Sequence, residues 1–294
     1  MFYYFLRLVA ICIPVRQARQ RFINWARYRF SMSHALSDHL KAVERLIYYH
    51  AHLFEAPTVM TVDATLDALI EGKSIVRFGD GELEVMLGTS RRFQKSSAEL
   101  VQRLREVLAS DEPGLLVGIF RNTYHLEDLA DFSRDFWIND SAWMHSAQSR
   151  YLRPGKIYAA AEVTLAYQIY RRYDVEAYFQ KFRKIWEGKE IVLIHGDGIF
   201  DSFIHDIFDN AKSVEHILAP SRDAFDKYDE ILARALQESK DRLMIAILGP
   251  AATVLAYDLF RAGYRALDLG HIAKSYDWWR KSRKGDELEF FAPD

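Results

Sequence analysis

The segment SIVRFGDGELEVML, residues 74–87, sets Asp80 and Glu82 directly after an apolar run and beside Gly79 and Gly81. In extended backbone, residues two apart face the same side, so if the extension continues past Gly81 the two carboxylates aim at one point. Anions that close repel unless one takes a proton or a cation lies between them, and oxygen ligands suit Mg²⁺ or Mn²⁺. Arg77 is in reach to meet a second anion, and the glycines let a ligand approach the backbone. Spacing alone carries little, because acids two apart recur at Glu82/Glu84, Asp174/Glu176 and Glu287/Glu289. Position separates Asp80/Glu82 from those pairs; the competing account is a tight turn with solvated acids.

Two further glycine loops follow apolar runs: His195-Gly196-Asp197-Gly198 after EIVLI, and Gly249-Pro250 after LMIAIL. Proline suits the first turn of a helix, and the free amides and partial positive charge of that helix start can hold a phosphate. His195, Asp197 and His271 are the right types to orient a hydroxyl or accept a proton. The plainer readings are a turn at 195–198, an ordinary strand-to-helix connection at 249–250 and a hydrogen-bonded core histidine at 271. A carboxylate pair that attracts a cation and a helix start that attracts a phosphate together suggest a metal-bridged diphosphate, the group nucleotide sugars carry. In such a transfer the cation neutralises charge building on the leaving nucleoside diphosphate.

These loops need elements to hold them. Strands are predicted at 74–78, 115–120, 156–161, 190–194, 213–218, 243–248 and 265–269. Amphipathic helices are predicted at 97–109, 224–239 and 251–263, with apolar residues recurring at three and four. Strands alternating with helices imply an α/β fold, a mostly parallel sheet covered on both faces. Ligands of such sheets bind outside the carboxyl ends of the strands, where all three glycine loops would lie. Residues 38–72 read as two helices leading in, the second opening with TVDATLDALIEG and ending at Gly72. Residues 38–294 read as a single α/β domain.

The chain has 294 residues, 50% of them hydrophobic, enough for a sizeable core. A net charge of -2 gives no reason to expect nucleic acid as a partner. The single cysteine, Cys12, excludes an intramolecular disulfide framework and fits a reducing compartment. Residues 1–37 form a basic apolar arm with six arginines and no acid, leaving 33 basic against 41 acidic residues in the remainder. Its apolar start is too short to span a bilayer and lacks the marks of a secretory signal. Aromatic, aliphatic and arginine side chains mixed over residues 1–30 suit an anionic membrane surface, and equally a helix packed on the domain or on a second subunit.

The motifs SIVRFGDGEL, LIHGDGIFD, APSRDAFDKYDEIL and ILGPAATVLAYDLFRAGYRALDLGHI occur in this order over about residues 74–279. In order and spacing they resemble bacterial glycosyltransferases of the GT-D fold family, formerly a domain of unknown function. The resemblance implies a Rossmann-like α/β fold, to which the helical pattern before residue 73 adds an N-terminal helical extension, a nucleotide-sugar donor of the UDP-hexose kind, and a metal-binding Asp-x-Glu motif falling on Asp80 and Glu82. It allows a glycan acceptor on a serine-rich adhesin, while the basic, aromatic-rich arm suits a lipid-linked oligosaccharide, in surface polysaccharide or glycoprotein assembly. A cytoplasmic protein, peripheral at the inner face of the bacterial plasma membrane, is the matching location. Two positions depart from the expected pattern: Ala251 stands where threonine is expected and Asp223 where asparagine is. They bear on which sugar or nucleotide is used more than on the reaction. Two other readings keep part of the pattern. One is a nucleotide-sugar hydrolase or another glycan-modifying transferase; the other is a non-catalytic nucleotide-binding subunit of a membrane-associated synthase.

Overall fold

The computed structural model describes residues 56–282 apart from Arg92, together with helical positions at 18–19, 21–23, 39–43 and 46. Cys12, most of the basic arm and the Glu287/Glu289 pair therefore lie outside the described residues. The strands are β1 (Thr58–Val59), β2 (Ser74–Phe78), β3 (Leu115–Ile119), β4 (Ile157–Ala160), β5 (Glu190–Gly196), β6 (Ser213–Ala219), β7 (Leu243–Ile247) and β8 (Arg265–Asp268). They form one sheet in the order β1-β4-β3-β2-β8-β7-β5-β6, and each recorded pairing is parallel. Seven of these strands fall where the apolar runs predict them; β1, two residues long, lies inside the stretch read as helical lead-in.

The helices are α1 (Val62–Ile70), α2 (Asp80–Met86), α3 (Ala98–Ala109), α4 (Asp131–Gln148), α5 (Ala166–Ile169), α6 (Val175–Trp186), α7 (Tyr228–Ala235), α8 (Pro250–Arg261) and α9 (Ile272–Ser282). Thr61 caps α1, its Oγ1 accepting from the Ala64 amide at 3.2 Å, and the chain leaves the helix through Gly72 at φ +107°. Strand β5 shows why the runs are continuously apolar. Val192 and Ile194 face the layer of α3, α7 and α8, whereas Ile191 and Leu193 face that of α1, α6 and α9. Both faces are covered, so alternation of polar and apolar residues would leave buried charge.

Sheet order locates the crevice. From β2 the chain winds outward through β3 to β4, then crosses to β5 and β6 on the far side and returns through β7 to β8, which lies against β2. The winding direction thus reverses between β2 and β8, and ligands of open α/β sheets bind at the carboxyl ends beside such a reversal.

Candidate active site

Strand β2 ends at Phe78, and α2 begins at once with Asp80. The expected extended geometry past Gly81 is therefore absent. In a helix, residues two apart point to different sides, so Asp80 and Glu82 do not converge by strand alternation. Glu82 instead turns back to the helix start, its Oε2 accepting from the Gly79 amide at 2.8 Å. A carboxylate suits that end of a helix, where amides lack intrahelical partners. Asp80 accepts from Arg91 at 2.5 Å, and the same guanidinium meets Glu84 at 2.5 Å. Burial, then the neighbouring charge of Asp268, push the Glu82 carboxyl up to about 7; Asp80 adds to the rise, while the Gly79 amide and Arg77 oppose it. The two acids stay electrostatically coupled, by a different route from the one the sequence suggested.

Arg77 is committed to the protein. Its Nε donates to the Asp268 carbonyl at 2.7 Å, Nη1 to the Ala161 carbonyl at 2.9 Å and the Thr164 hydroxyl at 3.1 Å, and Nη2 to Asp268 Oδ1 at 3.1 Å. The Asp268 carboxylate also accepts from the Arg77 amide at 3.2 Å, and the Thr253 hydroxyl of α8 lies 3.2 Å from it. Four of five guanidinium hydrogens are engaged. Arg77 thus ties the ends of β2, β4 and β8 together, with one guanidinium hydrogen left uncommitted.

The second glycine loop enters the same neighbourhood. Gly249 adopts φ +55° and ψ -141°, a backbone region open to glycine, and Pro250 occupies the first turn of α8 as expected. Phe93, 48% exposed, lies over both loops: its ring carbons are 3.3 and 3.4 Å from where a Cβ on Gly249 would stand and 4.0 Å from one on Gly81. The Phe93 carbonyl accepts from the Asp223 amide at 2.8 Å, and Asp223, at φ +52°, accepts from the Lys95 amide at 2.7 Å and pairs with the Lys95 ammonium at 3.1 Å. Asp223 thus adds no uncompensated charge, and Ala251 is buried without a hydroxyl.

His271 stands after β8 with its surface exposed; the surrounding protein, then the Arg77 and Lys274 cations, push its pKa down, so the imidazole is neutral at pH 7. His195 is elsewhere. It is buried at the end of β5, with Nδ1 2.9 Å from the Gly196 carbonyl and Nε2 2.8 Å from His216 Nδ1. Both ring nitrogens are engaged within the protein, so accepting a substrate proton would require one of these contacts to open. Asp197 is exposed beside it, and its amide donates to the Ala219 carbonyl at 2.8 Å. The crevice gathers Arg77, Asp80, Glu82 and His271. It also includes Arg91 and Phe93, which lie in none of the motifs, and Asp268, which lies within the last of them without being singled out. The spacing of the comparison pair is accounted for as well, since Asp174 caps α6 by accepting from the Ala177 amide at 3.0 Å.

Among the described residues, no group of three or more histidine, cysteine, aspartate or glutamate side chains is placed to hold a metal. A closed protein cage is therefore not present in that part of the chain. An ion of the Mg²⁺ kind fits differently, because it keeps waters and binds through one or two carboxylates plus substrate phosphates. Asp80 and Glu82 can supply that share. Glu82 carries the mark of an unneutralised site, and the Asp80–Arg91 contact, with the aspartate side chain 46% exposed, holds weakly enough to be exchanged.

A family model described as the glycosyltransferase GT-D fold matches residues 75–287. The probable glycosyl transferase Gly of Streptococcus gordonii is 32% identical over 228 residues, covering 76% of this chain and 33% of that protein. Glycosyltransferase GlyD of Streptococcus pneumoniae serotype 4 is 30% identical over 244 residues, covering 77% of this chain and 28% of that protein. The chain thus spans about a third of the length of the curated relatives it matches. Among solved structures, a glycosyltransferase (DUF1792) from Streptococcus sanguinis superposes with a TM-score of 0.72 at 29% identity, covering 81% of this chain and 96% of that one. Another, described as the highly conserved domain of unknown function 1792 with a distinct glycosyltransferase fold, gives 0.71 at 27% identity over 88% and 96%.

Proposed function

The chain belongs to the glycosyltransferase GT-D fold family, and from that premise we propose that it transfers a hexose from a nucleoside-diphosphate sugar to a glycan acceptor with the help of Mn²⁺ or Mg²⁺. The observation that carries this reading is the Asp80/Glu82 pair at the β2–β8 reversal, with Glu82 pushed up to about 7 by burial and by Asp268 and Asp80. A buried carboxylate in that state gains from a cation.

Asp80 and Glu82 would hold the ion, which when bound supplies positive charge where the leaving diphosphate becomes more negative. Arg77 and Asp268 keep the two strand ends in register around it. At the start of α8 Pro250 has no N–H and the Ala252 amide donates to the Gly249 carbonyl at 2.8 Å, so the helix end can offer a phosphate the Ala251 amide and its partial positive charge. His271 stands at the same edge, but with its pKa pushed down to about 4 by its surroundings and by Arg77 and Lys274 it is a weak base, suited to orient the acceptor hydroxyl through a hydrogen bond.

UDP-hexoses are the first donors to test. Incubation of the full chain with common nucleotide sugars and Mn²⁺ should release nucleoside diphosphate in the presence of a glycan acceptor. Full release with chelator present, or full release by Asp80→Ala, would refute the metal role. Release that needs no acceptor would reassign the protein as a hydrolase. For the acceptor, the charge asymmetry of residues 1–37 supports a lipid-linked glycan at an anionic membrane surface. Deleting residues 1–30 should move the protein from the membrane to the soluble fraction; unchanged fractionation excludes the arm as the anchor.

A further inference from the structure

The arginine expected to meet an anion is engaged, and another one nearby is not. Strands β2 and β3 are paired in register up to Phe78 and Ile119. Two residues beyond these ends stand Asp80, which opens α2, and Arg121, both at the carboxyl edge of the same two neighbouring strands. The intervening Phe120 ring lies 3.6 Å from where a Cβ on Gly79 would stand, and Trp137 packs against it edge-on at 4.7 Å between centroids. Arg121 begins the one-turn 3₁₀ helix Arg121–Thr123 at the carboxyl edge of the sheet.

No hydrogen bond or ion pair from the Arg121 guanidinium forms among the described residues, although its Nε is buried. Asp80 pairs with Arg91 instead, and buried Glu162 accepts from the Arg121 amide at 3.3 Å, the Arg121 charge acting on that carboxyl only through space, where it opposes the upward push of burial. The next two residues repeat the pattern. Asn122 Nδ2 and Thr123 Oγ1 are buried and unpartnered, with the residues 0% and 2% exposed. Exchanging the Asn122 amide oxygen and nitrogen does not remove the anomaly. Tyr170, whose hydroxyl is 2.9 Å from Asn122 Oδ1, would then receive the amide, and the oxygen would be stranded. A buried donor without a partner forfeits its hydration with nothing in return, so three in successive residues need a reason.

All three groups can donate, and one is a permanent cation, which defines the chemistry of what is missing: a group rich in acceptor oxygens and negatively charged. We propose that Arg121 binds a phosphate of the substrate beside the Asp80/Glu82 site, with Asn122 and Thr123 forming the donor-rich turn that receives it. The inference deepens the reading given under Proposed function, and rests on it for the source of the phosphate. Two sources share this chemistry, the diphosphate of the donor and the phosphate of a lipid-linked acceptor.

Titration calorimetry of the full chain with inorganic pyrophosphate, UDP and uridine, at fixed Mn²⁺, tests the proposal in Arg121→Ala and Arg121→Lys. A charge-assisted contact corresponds to about 10- to 100-fold in Kd. Arg121→Ala should weaken pyrophosphate and UDP by that factor and leave uridine unchanged, and Arg121→Lys should recover part, because the point charge lacks the planar fork. If pyrophosphate and UDP are unaffected but the KM for a phosphate-bearing lipid-linked acceptor rises by the same factor, the phosphate belongs to the acceptor. Unchanged values throughout would overturn the assignment, as would wild-type protein that binds neither pyrophosphate nor UDP. Equal weakening of uridine with a lowered melting midpoint would also overturn it, by indicating a structural role. Should no nucleotide sugar serve as donor while pyrophosphate binding still depends on Arg121, the donor reading fails and this inference stands.

Discussion

Gly79-Asp80-Gly81 and Gly196-Asp197-Gly198 are the same tripeptide at the ends of two parallel strands, β2 and β5, yet the structure treats them oppositely. At the first, a helix starts on the aspartate, Glu82 is held inside with its carboxyl raised to about 7, and Phe93 lies over the glycine. At the second, His195 is satisfied by Gly196 and His216, and a Cβ on Gly196 would stand 2.7 Å from the Ser221 backbone. Residue types are shared; what differs is whether the polar groups already have partners. Functional groups tend to be those the fold leaves incompletely satisfied, and the β2 loop sits at the winding reversal whereas β5 lies beyond β7.

The largest effect expected at the β2 end is on stability. Arg77 and Asp268 are 12% and 5% exposed at their side chains, so Arg77→Met leaves a buried carboxylate without its cation, a loss of about 3–5 kcal/mol. Chemical denaturation should show it. His195→Gln, which removes a partner from one neutral hydrogen bond at the β5 end, should lose about 1 kcal/mol. Comparable losses would mean that both loops are held in the same way.

Activity should separate the loops as sharply. Asp80→Ala is expected to lower kcat/KM for the transfer by about 10²- to 10³-fold, the scale on which electrostatic stabilisation of a leaving group acts, with the melting midpoint nearly unchanged because its Arg91 pair is exposed. Asp197→Ala should stay within about 2-fold, since no transition-state contact is lost. An Asp197→Ala enzyme as impaired as Asp80→Ala would move the site toward β5.

Much of this was legible in the sequence. SIVRF is a strand over the predicted residues, and the other six runs end within two residues of their prediction, because buried parallel strands need unbroken apolar segments. The Asp80/Glu82 pair was set apart from the other acid pairs by its place after such a run. Its geometry was not, because apolar Leu83, Val85 and Met86 pack inward from a helix that periodicity over seven residues cannot distinguish from an extended chain. Arg77 and Arg121 were indistinguishable as anion binders in one dimension. Only the return of β8 beside β2 brings Asp268 to Arg77, across 191 residues of chain, whereas among the described residues no acid hydrogen-bonds the Arg121 guanidinium and Glu162 acts on it only through space.

Metal binding gives a smaller, pH-dependent contrast. With its folded pKa raised from 4.5 to about 7, Glu82 holds its proton more tightly in the native state than in the unfolded one. Its contribution to stability is therefore fully present below 4.5 and lost as pH rises through about 7. Metal-free protein should lose stability across that window, and Glu82→Gln should flatten the slope. Mn²⁺ competes with the proton, so it should stabilise more at pH 8 than at pH 5, by about 2.7 kcal/mol at a hundredfold excess over Kd. Thermal melts with and without the ion test both statements. A Mn²⁺ effect that survives Asp80→Ala with Glu82→Gln and disappears on Asp197→Ala would assign the ion to the other loop.

The smallest effects test the glycines themselves. Gly196→Ala must displace the Ser221 backbone and the Ile199 side chain, 2.7 and 2.8 Å from the new carbon, so a loss of about 1–3 kcal/mol is expected with little change in kcat. Gly81→Ala meets nothing closer than Phe93 at 4.0 Å and lies within α2, where alanine is the better helix former, so stability should rise by about 0.5 kcal/mol. A methyl at that point nevertheless narrows the space between Phe93 and the Asp80 carboxylate. The donor KM should therefore rise in Gly81→Ala although the protein is more stable, the reverse of Gly196→Ala. If Gly81→Ala binds UDP as the wild type does, no ligand approaches the backbone at Gly81, and that glycine marks only the start of a helix.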